Sequence, residues 1–439
     1  MQQEKPQAFI LTGAFWVVCR NPLYLTELAD RGIKILVITA AIWREQALAC
    51  MSEEGHPAAS IHDIAFVDGE LNVEGSFTAG TVSATRRWQD TYTIVGVHSV
   101  GETLVEPTGL LADALDLPSP GLRATRACRS KYLQRWYMPD LSPWSVVVPA
   151  ADRPTFDWSV VPYPCVVKPA SRHSSSGVVT VHDAQGLREQ ITTYPEHEII
   201  LVEQKVIGQE YSVETLVQNG KPVFASATRK ETTDSYAHTF VELVHAVPCE
   251  DPGPTATLLA ANQRMLDLLA FENGIAHSEW RIDASGRAFL MEVAARTPGD
   301  GLMALYQQAT GRAVEPEIVR VALGESATYP EARRFARQVY VEHKPGTLQD
   351  VTVDWPDVEV SWVGEKGLWP EIESGPADAP PALRAVLVLK DRGAKLSELA
   401  SSDDRAVAFF IDAATAEELD TLEQQVRSAL TVRTEPLPV

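Results

Sequence analysis

Hydrophobic positions in the first hundred residues fall into short continuous runs separated by stretches with helical spacing. Residues 8–12 form an apolar run that stops at Thr12-Gly13, residues 22–31 follow a helical pattern, and after Gly32 the sequence IKILVIT reads as a strong strand. This succession predicts a right-handed β–α–β unit in a parallel sheet. A further strand, YTIVGV, precedes a helix over residues 107–117, and two prolines at 118 and 120 break the chain. A first α/β domain is therefore expected over residues 1–122.

Downstream the pattern changes. Residues 162–169, PYPCVVKP, predict a strand carrying Lys168, followed by the loop ASRHSSSGV and another strand. Asn219-Gly220 between alternating runs is the strongest hairpin signal in the chain. A helix is predicted over residues 255–271. Residues 277–301, HSEWRIDASGRAFLMEVAARTPGDG, read as two strands joined by the turn Ala284-Ser285-Gly286. Beyond them QVYVEHK, VEVSWVG and RAVLVLK alternate with Gly/Pro/Asp turns, and AVAFFIDA precedes a helix over residues 415–430. Further units are expected at 123–200, 201–335 and 336–439, the last a smaller α+β segment packed on the core. The sequence contains no repeats, and only ESGPADAPP resembles a flexible low-complexity loop.

Composition narrows the class. The 439 residues exceed one compact core, and a 45% hydrophobic content belongs to a globular chain. Lys and Arg number 38 against 59 Asp and Glu, a net charge of −21, so no nucleic-acid partner is expected and anionic ligands must be met by local cations. The amino terminus lacks a basic leader, and its apolar run is interrupted by Thr12 and Gly13, so neither export nor membrane insertion is expected. Cys19, Cys50, Cys128, Cys165 and Cys249 are scattered without a CxxC pair, which suits reduced core residues of a cytoplasmic protein.

Candidate chemistry concentrates in the second half. Folding residues 277–301 about their turn brings Glu279 close to opposite Glu292, where cross-strand Cβ atoms lie roughly 5 Å apart. Two carboxylates so placed repel unless a divalent cation binds both, and oxygen-only ligation suits Mg²⁺, with Mn²⁺ an acceptable replacement. If the strand stays regular, Glu292, Ala294 and Arg296 share a face, and the Arg meets phosphate. The competing reading is a solvated surface hairpin.

The basic segment RATRACRSKYLQRWYM, residues 123–138, predicts a helix presenting Lys131 to an anion; a solvated helix face is the alternative. Lys168 beside a Ser/Gly-rich loop suits a triphosphate, though GxxxxGK[ST] is missing and a surface loop explains the string as well. Glu203, Gln204, Lys205 and Val206 can run extended past an adenine, offering backbone donors and acceptors, and Glu210 can accept from ribose hydroxyls. Glu214, four residues on, faces the same way; an exposed sheet face accounts equally for both. Glu242 and His245 are a candidate substrate-positioning pair, against a satisfied structural histidine. Residues 297–301 form a turn whose N–H groups favour anions, while Asp300 can hold a cationic amine.

The order Lys131, Lys168, Ser/Gly loop, EQKV, Glu210, Glu279, Glu292 and Arg296 resembles the ATP-grasp superfamily, over about residues 123–324. Within it, FVELVH, HSEWRID and FLMEVAARTPGDG look most like the L-amino-acid ligases, which form dipeptides and related amides in natural-product pathways. The resemblance implies an ATP-grasp fold with an N-terminal parallel α/β domain and a C-terminal α+β extension. It implies that Lys131 and Lys168 contact ATP phosphates beneath a lid of Ser174, Ser175, Ser176 and Gly177. Adenine would lie against Glu203, Gln204, Lys205 and Val206, and ribose at Glu210. Glu279 and Glu292 would hold Mg²⁺. Arg296 would bind the carboxylate and stabilise the acyl phosphate and tetrahedral intermediate, and Glu242, His245, Gly299 and Asp300 would line the amino-acid site. Many ATP-grasp enzymes have Asn two residues after the second metal Glu, where Ala294 stands here, so the number of Mg²⁺ ions is open.

The reaction implied is ADP-forming amide synthesis between a small-molecule carboxylate and an amine, in a cytoplasmic protein that the resemblance suggests is a homodimer. Glu242, His245 and a substrate carboxylate all remain candidates for the base. A carboxylase or purine-pathway-type ligase is the second reading, and a non-catalytic nucleotide-binding protein the third.

Overall fold

The strand expected at residues 8–12 is β1 (Gln7–Thr12), and it pairs in parallel with β2 (Lys34–Ala40), which pairs with β3 (Asp63–Val67), while β4 (Thr93–Ser99) lies on the other side of β1. The order β3-β2-β1-β4 makes a fully parallel sheet. Phe9 and Leu11 enter one hydrophobic core and Ala8 and Ile10 another. Burial on both faces explains why these strands read as continuous apolar runs. This computed structural model describes residues 4–436 except residues 72, 171, 173–175, 236 and 238.

The basic segment expected as one helix is two, Leu122–Ala127 and Lys131–Tyr137. Ser130 between them has an extended backbone, φ −135° and ψ 104°, so the second helix restarts with Lys131 at its first position. Helical spacing of apolar residues continues across the break, which is why periodicity joined the two.

A four-stranded antiparallel sheet follows, built from β5 (Ser145–Val148), β6 (Cys165–Pro169), β7 (Val179–Val181) and β8 (Ile200–Gln204) in the order β5-β8-β6-β7. The central sheet then opens with β9 (Gly208–Gln218) and β10 (Lys221–Thr232), the Asn219-Gly220 hairpin, and continues with β11 (Glu242–Val247), β12 (Gly274–Asp283) and β13 (Ala288–Ala294). Asn219 at φ 51° and Gly220 at φ 73° occupy the two left-handed positions that this two-residue turn requires.

The remaining strands are β14 (Phe335–Val341), β15 (Gly346–Val353), β16 (Val360–Trp362), β17 (Ala382–Val388), β18 (Lys395–Leu396), β19 (Val407–Ala413) and β20 (Leu430–Glu435). The central sheet runs β13-β12-β9-β10-β11-β14-β19-β17-β16, and a small sheet runs β18-β15-β20. The C-terminal segment thus joins the core through backbone pairing of β11 with β14. Buried Asp412 on β19 is held by Arg334 at 3.0 Å and Arg384 at 2.8 Å, so this junction carries a fully compensated charge. Among the described residues no helix is long and apolar enough to cross a membrane.

Candidate active site

One face of five adjacent strands, β13 to β11, brings Glu210, Lys230, Glu242, Glu279, Arg281 and Glu292 to one cavity. Two bulges make this possible. In a regular strand Leu290 and Glu292 would face the same way, yet β12 pairs Glu279 with Glu292 and Trp280 with Leu290. Met291 is the extra residue. It lets Trp280 and Leu290 enter the core while both carboxylates turn to the cavity. On β11 the odd spacing of Glu242 and His245 would also send them to opposite faces. Pairing with β10 shifts from Glu231↔Val244 to Thr232↔Glu242, so Leu243 is passed over and His245 Nε2 comes to 3.0 Å from Glu242. The hairpin turn itself is held by Asp283, whose carboxylate accepts from the N–H groups of Ser285 and Arg287.

Glu279 and Glu292 are cross-strand partners as expected, and each is met by a lysine. Lys230 Nζ lies 2.8 Å from Glu279 and 2.5 Å from Glu242, and Lys131 Nζ lies 2.9 Å from Glu292. Lys230 is 1% exposed. Burial opposes its charge, but Glu242, Glu279 and Glu210 together raise it well above the ordinary lysine value. Burial likewise opposes charge on Glu279, and Lys230 with His277 holds it well below the usual carboxylate range. Both carboxylates line the cavity with about a quarter of their side chains exposed. Two accessible carboxylates on neighbouring strands are the donor set a hard cation takes, so these residues fit Mg²⁺.

Behind them, His277 Nδ1 donates to Glu214 at 2.8 Å, and its Nε2 stands 3.5 Å from Glu279. Burial alone would lower it; hydrogen bonds to Glu214 and Glu279 instead raise it to about 9. Glu214 is not on an exposed sheet face. It is buried and accepts from Ser212, Thr228 and Tyr306.

Arg296 lies past the end of β13 and reaches the cavity from there. Its Nε donates to Glu102 at 2.5 Å and its Nη1 to the carbonyl of Thr297 at 2.7 Å. Glu102 follows β4 and also pairs with Arg129; against burial, the two guanidinium groups hold it well below the usual carboxylate range. The Thr297 hydroxyl is fixed by Tyr24 at 2.7 Å and by His98 at 2.9 Å, and burial keeps His98 neutral by lowering it to about 3.

The turn beyond Thr297 brings Gly299 and Asp300 to the cavity wall. Asp300 adopts φ 56°, held by Tyr340 at 2.8 Å and Arg405 at 2.5 Å. Glu242, His245 and Asp300 offer ligand atoms within 4.8 Å of one another. Lys230 and Arg405 already balance those carboxylates, and His245 is wholly buried behind Glu242.

The nucleotide end departs more from expectation. Lys168 lies 2.5 Å from Glu203, which Arg135 also contacts; burial works against Glu203, but the two cations hold it at about 2. Burial lowers Lys168 despite this partner. The N–H groups of Gln204 and Lys205 are taken by the carbonyls of Trp144 and Pro164, which leaves Val206 to offer its own. Glu210, expected near the ribose, lines the cavity with its Oε2 paired to Arg281 at 2.5 Å. Ser176 reaches the cavity, and Gly177 turns beside it at φ 73° with its carbonyl bound by Tyr194. Ser174 and Ser175, expected in the lid, lie outside the described residues.

Lys230, Arg281, Glu102 and Arg405 were not singled out from the sequence. Each belongs to an element other than its partner's, and only the alternation of β10 and β12 hinted that Lys230 and Arg281 share the charged face. Ala294, Val166 and Met291 complete a cavity of about 820 Å³.

Residues 161–304 match the family model of the ATP-grasp domain. A search of curated protein sequences finds no match. Among solved structures, the chain is similar to L-amino acid ligase from Bacillus licheniformis, with 19% identity and a TM-score of 0.72 over 99% of this chain and 100% of that one. It is also similar to phosphoribosylglycinamide synthetase from Anaerococcus prevotii, with 12% identity and a TM-score of 0.66 over 98% and 100%. A third is the biotin carboxylase domain of 2-oxoglutarate carboxylase from Hydrogenobacter thermophilus, in complex with MgADP, with 11% identity and a TM-score of 0.63 over 99% and 92%. At these identities the likeness is one of fold.

Proposed function

We propose that this chain, which carries an ATP-grasp domain and has the ATP-grasp fold, is an ATP-dependent carboxylate–amine ligase. It joins the carboxylate of an amino acid or acyl-amino acid to the amine of a second amino acid through an acyl phosphate, giving ADP and phosphate. The reading rests above all on one observation: Glu279 and Glu292 face each other beside Arg296 in a cavity that Lys131 and Lys168 also line.

A carboxylate is a poor electrophile, so phosphoryl transfer to it must precede amide formation. Lys131 and Lys168 are the cations at hand for the phosphate oxygens, with Ser176 beside them, and Val206 offers its N–H to the adenine edge. Glu279 and Glu292 would hold Mg²⁺, which when bound supplies positive charge to the transferring phosphoryl group. Arg296, pinned through Nε and Nη1, keeps its Nη2 edge for the substrate carboxylate and for the oxyanion that forms when the amine attacks. Glu242 and Asp300 hold the incoming ammonium group. Glu242 is also the acid nearest to take its proton, with buried His245 fixing its orientation. A location in the cytoplasm and a role in making dipeptide-type natural products belong to the same proposal.

A second reading, ATP-dependent carboxylation or purine-type ligation, draws on the similarity to the Anaerococcus and Hydrogenobacter proteins. The Glu242–Asp300 pair, in the same cavity as Arg296, favours the first, because it suits the ammonium of an incoming amino acid while Arg296 takes the carboxylate to be activated. Phosphate release from ATP, with amino acids supplied singly and in pairs and products read by mass spectrometry, tests the choice. Release that needs a pair and yields the summed mass less water is the expected result. ADP formed with bicarbonate alone would select the second reading.

A further inference from the structure

The cavity has two unlike walls. The strand face described above is mostly charged, whereas the segments that follow the carboxyl ends of β1, β2 and β3 supply a mostly apolar wall that includes one carboxylate, Asp68. These segments bring Trp16, Val17, Ile42, Trp43, Leu71 and Phe77 to the cavity. In open parallel sheets, the carboxyl ends of the strands are where ligands are met.

The wall is apolar where it need not be. Ile42 is 83% exposed although it adjoins the charged centre. Trp16 is held flat by Arg20, whose guanidinium lies 4.4 Å from the ring and donates to the carbonyl of Gly367 at 2.9 Å. A ring fixed in this way is a surface, not a filler of the core. The nucleotide-binding residues proposed above, Lys168, Ser176 and Val206, belong to other elements, and Gly101, Glu102 and Thr103 line the cavity as well, joining the apolar wall to Arg296. At about 820 Å³ the cavity lies within the range of about 300–1,000 Å³ that encloses small-molecule ligands.

We infer that this wall is the side-chain subsite for one of the two amino-acid substrates, and that it takes an aromatic or large aliphatic side chain. An apolar side chain there removes water from both surfaces, while an anionic one would face Trp16, Ile42, Trp43 and the carboxylate of Asp68. The inference rests on the ligase reading for the reaction, and on the cavity lining for the class of ligand. Placement beside Glu102 and Arg296 orders the molecule: its carboxylate meets the guanidinium and its side chain turns toward the N-terminal loops.

Calorimetric titration separates the two claims. Wild-type protein with Mg²⁺ and a non-hydrolysable ATP analogue is titrated with phenylalanine, leucine, glycine and aspartate, and the same series is run with Ile42→Asp. Ile42 is exposed, so that variant keeps its fold; Trp16→Ala is the second variant. Phenylalanine or leucine is expected to bind at least about tenfold more tightly than glycine, and each variant to remove most of that margin. Equal affinities across the four amino acids, or a margin that survives both substitutions, would overturn the inference. If the margin is present but no pair of amino acids yields ADP, the subsite stands and the ligase reading fails.

Discussion

The ammonium of Lys230 donates to the carboxylate of Glu279 at 2.8 Å, on the same face where a divalent cation is proposed to bind. A buried lysine thus holds the proposed metal carboxylate in its charged form and keeps it turned to the cavity. Glu242 shares the same ammonium at 2.5 Å, so one side chain links the proposed metal site to the proposed amine site.

Lys230→Met is therefore expected to strand two carboxylates, and breaking such a buried pair costs about 3–5 kcal/mol. Urea unfolding in metal-free buffer should show that loss, and Mg²⁺ should restore more stability to the variant than it adds to the wild type. Equal unfolding midpoints for the two proteins would remove Lys230 from this role.

Arg296→Lys should leave ATP affinity nearly unchanged while lowering turnover by about a hundredfold or more, because a point charge cannot reproduce a planar fork. Glu102→Gln tests how the fork is aimed. It keeps one hydrogen bond to Nε but loses the charge, and about a tenfold fall in kcat with an unchanged KM for ATP is expected. Steady-state kinetics of both variants decide the matter; undiminished turnover in Arg296→Lys would rule out its proposed contact with the reacting carboxylate.

Glu292→Gln removes one of the two proposed metal carboxylates at a partly exposed position, so the fold should survive with Mg²⁺-dependent turnover abolished. Circular dichroism checks the first half and phosphate release across a Mg²⁺ series the second. Normal activity at ordinary Mg²⁺ levels would mean that the cation is held elsewhere.

His277 gives a pH signature. Its value is raised to about 9 when folded, so its contribution is complete below the unfolded value near 6.5 and disappears as pH rises through 9. A shift of that size corresponds to about 3 kcal/mol. Denaturant unfolding at pH 7 and pH 10 should show a larger alkaline loss in wild type than in His277→Gln. Parallel pH profiles for the two would place the source of any alkaline loss in another group.

Local signals carried far in this chain. Alternation and turn residues were enough to place the Asn219-Gly220 hairpin, the β12–β13 hairpin and the Glu279–Glu292 pairing, because strand periodicity and turn chemistry act over neighbouring residues. The linear order of lysines and glutamates likewise pointed to nucleotide chemistry. The ends of elements were harder to read: the helix break at Ser130 interrupts no apolar period, yet it sets the position from which Lys131 reaches Glu292.

What the sequence by itself determined is many of the strands, the main hairpins and the acids and bases available to the site. Only the tertiary structure decided which of them meet. Bulges at Met291 and Leu243 choose the face on which Glu292 and His245 appear, and a bulge is set by pairing with a partner strand, not by its own residues. Lys230 finds Glu279, Arg281 takes Glu210 and Glu102 takes Arg296 because distant segments are brought within hydrogen-bond reach, where burial makes each charge demand a partner. Local propensity says nothing about a partner 49, 71 or 194 residues away; packing alone selects it.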